Sequence, residues 1–317
     1  MGARTPDWRP GASLPRLRAR AALLAQLREF FAARQVLEVE TPIVARCGAV
    51  DPHLASMKLA GAAGGYLQTS PEFAMKRLLA AGSGPIFQIC KCFREGEQGP
   101  RHNPEFTMLE WYRPGFDHVQ LMAEVADLCR SVLGLQDIPR IAYRDLFIEQ
   151  LGINPHTAGA GQLAAAARGR LDVQAAAMGR SQWLDLLMSL VIEPTLVPAA
   201  FVYDFPREQA ALSRIGSNAR GEAVAQRFEL YVGGVEVANG YHELTDADEL
   251  AARFAADARQ RELAGLPAMP ADQRLLAAQR CGLPPCAGVA LGVDRLLMIA
   301  TGATAIDEVL AFSADRV

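Results

Sequence analysis

Two apolar runs that flank a polar loop constrain this chain more than any other feature. Residues 86–93 and 105–112 have strand length and β-prone composition, and residues 95–104 between them are rich in Gly, Pro and charge. That pattern predicts two antiparallel strands around a long loop. A second hairpin is predicted at 228–232 and 235–239, where Gly233 and Gly234 supply a two-residue turn. Helical spacing fills the intervals: an amphipathic helix over 14–34 with Leu17, Ala21, Leu24, Leu27 and Phe31 on one face, a helix begun by Ser70, Pro71 and Glu72, and a helix over 246–263 opened by Thr245. Near the end a short strand, 288–291, turns at Gly292 into a helix over 294–300. Residues from about 118 to 200 read as mostly helical, with an alanine-rich stretch at 162–177 and an apolar helix at 183–191, and carry no chemical signal. Helices alternating with hairpins, not with single strands, indicate an α+β fold with an antiparallel sheet flanked by helices.

Composition removes several classes of function. The chain has 317 residues, half of them hydrophobic, which suits one large domain spanning 1–317. A net charge of −3 without a basic block does not indicate extensive RNA or tRNA binding. No apolar run reaches the roughly 18 residues of a membrane span, and Met1 to Pro10 lack a signal-peptide block. A cytoplasmic location is the expectation. The six cysteines are scattered without a CxxC pair, and the five histidines are isolated, so zinc-ligand spacing is missing.

Alternation along a strand gives the first chemistry. Phe106, Met108, Glu110 and Tyr112 share one face of 105–112, while Thr107, Leu109 and Trp111 share the other. Such a face taken alone suits a solvated sheet equally well. Counting by two from Gln88 through Cys90 and Cys92 brings Arg94 over the same surface. A flat ring, a guanidinium fork and a loop holding Arg101, His102 and Asn103 suit a nucleotide, with the base on Phe106 and phosphate on Arg94. In the second hairpin Tyr231 should pair with Glu236, and Glu243 follows seven residues on. Two acids near triphosphate oxygens would hold Mg2+, although each alone is equally an ordinary surface glutamate. Arg295 falls in the first turn of its helix, where the dipole disfavours a cation unless an anion is held there.

In this order the pieces resemble the three motifs of class II aminoacyl-tRNA synthetases. The helix ending Phe30 and Phe31 with Val36 to Pro42 looks like the first, Phe93 and Arg94 through RHNPEFT the second, and 288–295 the third. Ser70, Pro71 and Glu72, then Glu110 with Tyr112, then VEVANGYHEL, are most similar to the lysyl-tRNA synthetase branch. The resemblance implies ATP and Mg2+ as cofactors. It implies catalytic roles for Arg94 and Arg295, and ATP contacts from these two with Glu95, Gly96, His102, Asn103, Phe106, Glu236, Val237 and Gly292. It further implies Glu236 and Glu243 at the metal, and a cationic amino acid held by Ser70, Pro71, Glu72, Glu110, Tyr112, Asn239 and Glu243.

Only about a dozen residues precede the first motif, so the OB-fold anticodon-binding domain of a full lysyl-tRNA synthetase is not expected. The second motif, with Glu95, Gly96 and Glu97 after Arg94, departs from the usual Arg-x-Glu, leaving open which acid contacts ATP. Ala290 stands where the family often has glycine. A free-standing domain of this kind resembles the family of ligases that activate (R)-β-lysine with ATP and join it to a lysine ε-amine of elongation factor P. A homodimer is implied as well, with the first-motif helix and following strand at the interface. A truncated lysyl-tRNA synthetase that charges tRNA, an inactive synthetase-like sensor and a small-molecule amide ligase remain as alternatives.

Overall fold

The computed structural model describes residues 8–61, 64–171 and 178–317. The helices are α1 (Leu14–Ala32), α2 (Glu72–Ala80), α3 (His118–Leu133), α4 (Tyr143–Leu151), α5 (Ala160–Ala167), α6 (Arg180–Leu187), α7 (Ala247–Leu263), α8 (Gln273–Gly282) and α9 (Val293–Thr301). The strands are β1 (Leu37–Glu38), β2 (Val44–Ala45), β3 (Tyr66–Leu67), β4 (Ile86–Phe93), β5 (Glu105–Pro114), β6 (Arg140–Ala142), β7 (Ala199–Pro206), β8 (Ile215–Ser217), β9 (Ala223–Val232), β10 (Glu236–His242) and β11 (Cys286–Gly292).

One sheet in the order β1-β4-β5-β11-β10-β9-β7-β6, with β8 beside β9, forms the centre, and β2 and β3 make a small separate pair. The central pairings from β4 to β7 are antiparallel, while β1 joins β4 and β6 joins β7 in parallel. The architecture is therefore α+β, as the hairpin pattern predicts.

Period-two alternation sorts the sheet into two chemistries. Leu109 and Trp111 of β5, Phe228 and Leu230 of β9, and Val289 and Leu291 of β11 enter the main core with α1, α3 and α9. Tyr112, Glu110, Asn239, Tyr241, Gly288 and Ala290 face the opposite side, where a cavity opens. Phe31 of α1 stacks on Phe87 with centroids 4.5 Å apart and meets Trp111 edge-on at 5.2 Å. The buried stripe of α1 is Leu23, Leu27, Phe30 and Phe31; Ala21 is exposed, and Leu17 and Leu24 are only half-buried. Its apolar face thus serves the chain's own core.

Several expectations change in detail. The 118–200 region contributes β6 and the start of β7 to the central sheet, because the apolar run from Ala199 to Phe205 pairs with β9. The alanine-rich helix ends at Ala167, and 172–177 lie outside the described residues. The apolar helix near 183 is α6 followed by a π-turn, Met188–Ile192. Asp246, not Thr245, caps α7, its carboxylate accepting the Asp248 and Glu249 N–H groups. Among the described residues no helix is long and apolar enough to cross a membrane.

Candidate active site

A cavity of about 510 Å3 lies on the open face of the sheet, bounded by β5, β10, β11, the 94–106 loop and the start of α2. Arg94, Arg295, Phe106, His102 and Glu236 line one part of it, and Glu72, Glu110, Tyr112, Asn239 and Glu243 another. The two guanidinium groups and the acid–phenol pair therefore share one chamber, as the sequence predicts.

The loop between β4 and β5 delivers Arg94. Its guanidinium lies 5.1 Å from the Phe106 ring centroid and 3.4 Å from Glu97, and its Nε is buried without a protein partner. Asn103 donates to the Glu105 carbonyl at 2.6 Å and accepts from the Ala314 N–H at 2.9 Å, so its amide pins the loop to the C-terminal segment. Asp294, buried in the first turn of α9, accepts from Arg20 at 2.6 Å and from the Thr107 N–H at 2.7 Å. That acid ties α1, β5 and α9 together at the helix end the dipole favours. Arg295 beside it donates to the Glu236 carbonyl at 2.8 Å and meets His102 Nε2 at 2.8 Å. Arginine has no acceptor, so His102 Nε2 accepts and the imidazole is neutral there. Burial, then the Arg295 charge, lowers the His102 pKa in agreement.

The amino-acid end is acidic and sealed. Ser70 Oγ takes the Glu72 N–H at 3.0 Å and donates to Glu110 at 2.7 Å, while Tyr112 donates to the other Glu110 oxygen at 2.7 Å. Burial, reinforced by Glu72, pushes Glu110 up to about 8 despite those two donors. Lys76, one turn beyond Glu72 on α2, lies 2.6 Å from Glu72 and 2.6 Å from Glu243. Burial works against its ammonium, but the two carboxylates outweigh it and raise the pKa. Burial also raises Glu243, which Lys76 opposes. Asn239 Oδ1 is buried without a partner, an acceptor placed for an ammonium group. Gly288 forms the floor: a Cβ there would sit 2.3 Å from the Tyr112 ring and 2.5 Å from Glu243.

The β9–β10 hairpin turns through Gly233 and Gly234 at φ +61° and +68°, both left-handed, which twists the strands correctly for a tight hairpin. Tyr231 pairs with Glu236 as predicted, but the register shifts between Glu236 and Ala238. The extra residue at this bulge brings Glu236 onto the face of Asn239, Tyr241 and Glu243, which strict alternation would deny it.

Five predicted positions sit differently from the expectation. Glu95 and Gly96 are exposed and off the cavity wall, and Glu97 takes the acid's place beside Arg94. Pro71 caps α2 and faces a neighbouring pocket. Glu236 and Glu243 do not meet at one metal: seven residues of strand separate them by about 20 Å. Glu229, opposite Asn239 on β9, is the acid the sequence reading missed. It lines the cavity, accepts from Arg227 and Tyr231, and is raised to about 7 by burial and by Glu236 across the hairpin. The hairpin register could have revealed it, and the four-residue step from Glu72 could have revealed Lys76. Val237 and Gly292 line the wall. Among the described residues no group of three metal-ligating side chains occurs.

A sheet platform carrying a guanidinium-lined nucleotide end and an acid-lined amino-acid end defines an aminoacyl-adenylate-forming synthetase domain. The chain belongs to the tRNA synthetases class II (D, K and N), which it matches over residues 2–316. It is 48% identical over 324 residues to elongation factor P–(R)-beta-lysine ligase of Salmonella typhi, covering 98% of this chain and 99% of that protein. It is 49% identical over 320 residues to the ligase of the same name in Pseudoalteromonas translucida, covering 98% of each.

Proposed function

We propose that this enzyme activates (R)-β-lysine with ATP and transfers it to the ε-amine of a lysine on elongation factor P. The observation that carries this reading is a single cavity in which Arg94 and Arg295 stand at one end and Glu72, Glu110 and Glu243 at the other. The near-full-length likeness to ligases of that name supports the choice of acceptor.

In the first step an oxygen of the amino-acid carboxylate attacks the α-phosphorus, and pyrophosphate leaves. Glu72, Glu110 and Asn239 hold the ammonium groups and so fix the carboxylate toward Arg94, an orientation effect. Arg94 and Arg295 stabilise the charge that builds on the phosphate oxygens. Phe106 offers its ring to the base. In the second step the acceptor amine, having lost a proton, attacks the acyl carbonyl and AMP leaves. No side chain becomes covalently attached in either step.

Glu229 and Glu236, which both line the cavity, fit a bound Mg2+, since burial and then Glu236 raise Glu229 and Mg2+ is typically held by one or two carboxylates plus phosphates. Bound there, the ion would neutralise phosphate charge. A homodimer and a cytoplasmic location belong to this reading. Strand β1 is a sheet edge whose Leu37 is 57% exposed, and Val44 of β2 is 51% exposed.

The test is incubation with ATP, (R)-β-lysine and elongation factor P, followed by intact mass measurement and a parallel tRNA-charging assay. Acylated elongation factor P is the expected product. Charged tRNA with unmodified factor would overturn the reading in favour of a tRNA ligase, and absence of ATP–pyrophosphate exchange with either lysine isomer would leave a non-catalytic protein.

A further inference from the structure

Lys76 is a buried charged group that the mechanism above does not use. It is 1% exposed and is not part of the cavity wall, yet its Nζ touches two carboxylates that are. Its neighbours on α2, Met75 and Leu79, belong to an apolar cluster with Ile86 and Leu283. The lysine and its buried acid could be replaced together, since buried ion pairs generally stabilise a fold no better than well-packed apolar replacements. Stability alone therefore does not call for a Lys76–Glu243 pair here, whose acid lines the cavity.

The titratable groups gathered at this point are Glu72 on α2, Glu243 after β10, Glu110 and Tyr112 on β5, Tyr241 on β10 and Cys286 on β11. Burial, then Glu243, holds the Cys286 thiol up to about 12, and both phenols are raised, so these three stay neutral. Three carboxylates and one ammonium remain. With all of them ionised the chamber carries two negative charges.

We propose that Lys76 is a positioning residue that acts as a built-in counter-ion, orienting Glu72 and Glu243 and cancelling one of the chamber's three carboxylate charges, so that the chamber matches a substrate bearing two ammonium groups. The inference rests on the amino-acid-activating function proposed above and specifies how that site counts charge. Lys76 touches no substrate; it acts through the two acids. Without it the empty chamber would hold three carboxylates with no fixed cation, and one of them would retain an extra proton. Two ammonium groups brought beside the acids favour their ionised forms, so a diammonium ligand would displace that proton.

The experiment compares wild type with Lys76→Met and with the charge-conserving double variant Lys76→Met/Glu243→Gln. Lysine binding is measured at pH 7 by calorimetry in two buffers of different ionisation enthalpy, alongside KM values from ATP–pyrophosphate exchange. Lys76→Met is expected to raise the amino-acid KM about tenfold or more, to leave the ATP KM within about twofold, and to release about one proton more than wild type on binding. The double variant is expected to lose that extra proton. A Lys76→Met enzyme with wild-type KM and proton release overturns the proposal, and so does a double variant that still releases the extra proton. Where the variants fail to fold, the wild-type protein decides. Its affinity for 6-hydroxynorleucine, which has one ammonium group, should fall at least about a hundredfold below lysine, and affinities within threefold overturn the idea. Absent exchange with any lysine isomer would remove the proposed function itself, whereas exchange with no effect at Lys76 removes this inference alone.

Discussion

Lowering the pH from 8 to 6 should weaken amino-acid binding through Glu110. This carboxyl is 2% exposed and is pushed up to about 8 by burial and then by Glu72. At pH 7 it is therefore about 90% protonated in the empty chamber. A substrate ammonium beside it favours the ionised form, so binding must release the proton. Ionising the group first costs about 1.4 kcal/mol at pH 7 and about 2.7 kcal/mol at pH 6. Affinity for lysine should drop about fiftyfold between pH 8 and pH 6 from this group alone, with Glu243 adding to the slope at the lower end. Calorimetry in paired buffers should show about 0.9 proton released from Glu110 at pH 7, and Glu110→Gln should abolish that share. Stability runs the other way. A carboxyl with a folded pKa above its unfolded value favours the fold fully below pH 4.5, and that contribution is lost as pH rises to about 8, at roughly 1.4 kcal/mol per pH unit. The empty protein should melt lower at pH 8 than at pH 6. Affinity that is flat across pH 6–8, with no proton release, would refute the assignment of Glu110 to the ammonium site.

Other outcomes follow from the geometry. Gly288→Ala places a methyl 2.3 Å from the Tyr112 ring and 2.5 Å from Glu243, so steady-state kinetics should show the amino-acid KM raised about tenfold or more, at an overpacking cost of about 1–3 kcal/mol. Arg94→Ala and Arg295→Ala should each lower kcat about a hundredfold or more in pyrophosphate exchange, with melting temperatures near wild type because both side chains are partly exposed, at 26% and 24%. Asp294→Ala removes the carboxylate paired with Arg20 and the acceptor of the Thr107 N–H, and urea unfolding should show a loss of about 3 kcal/mol. Chelation of Mg2+ should abolish exchange while leaving lysine binding measured by calorimetry unchanged, since Glu229 and Glu236 lie apart from Glu72, Glu110 and Glu243.

The sequence alone determined the local periodicities, and with them the two faces of the sheet. Alternation in β5 placed Phe106, Glu110 and Tyr112 together, the two glycines fixed the β9–β10 turn, and Ser70 with Glu72 marked the start of α2. These are properties of neighbouring residues, where strand and helix geometry leaves few choices. Only the tertiary structure decided which distant charges meet. Lys76 of α2 reaches Glu243 just past β10, the bulge beside Glu236 turns that acid onto the cavity face, and Glu229 joins it by cross-strand register. The run from Ala199 became a sheet strand only because β9 was there to pair with it. A charge takes its value from its partners and its burial, and neither is set until elements far apart in the chain have packed.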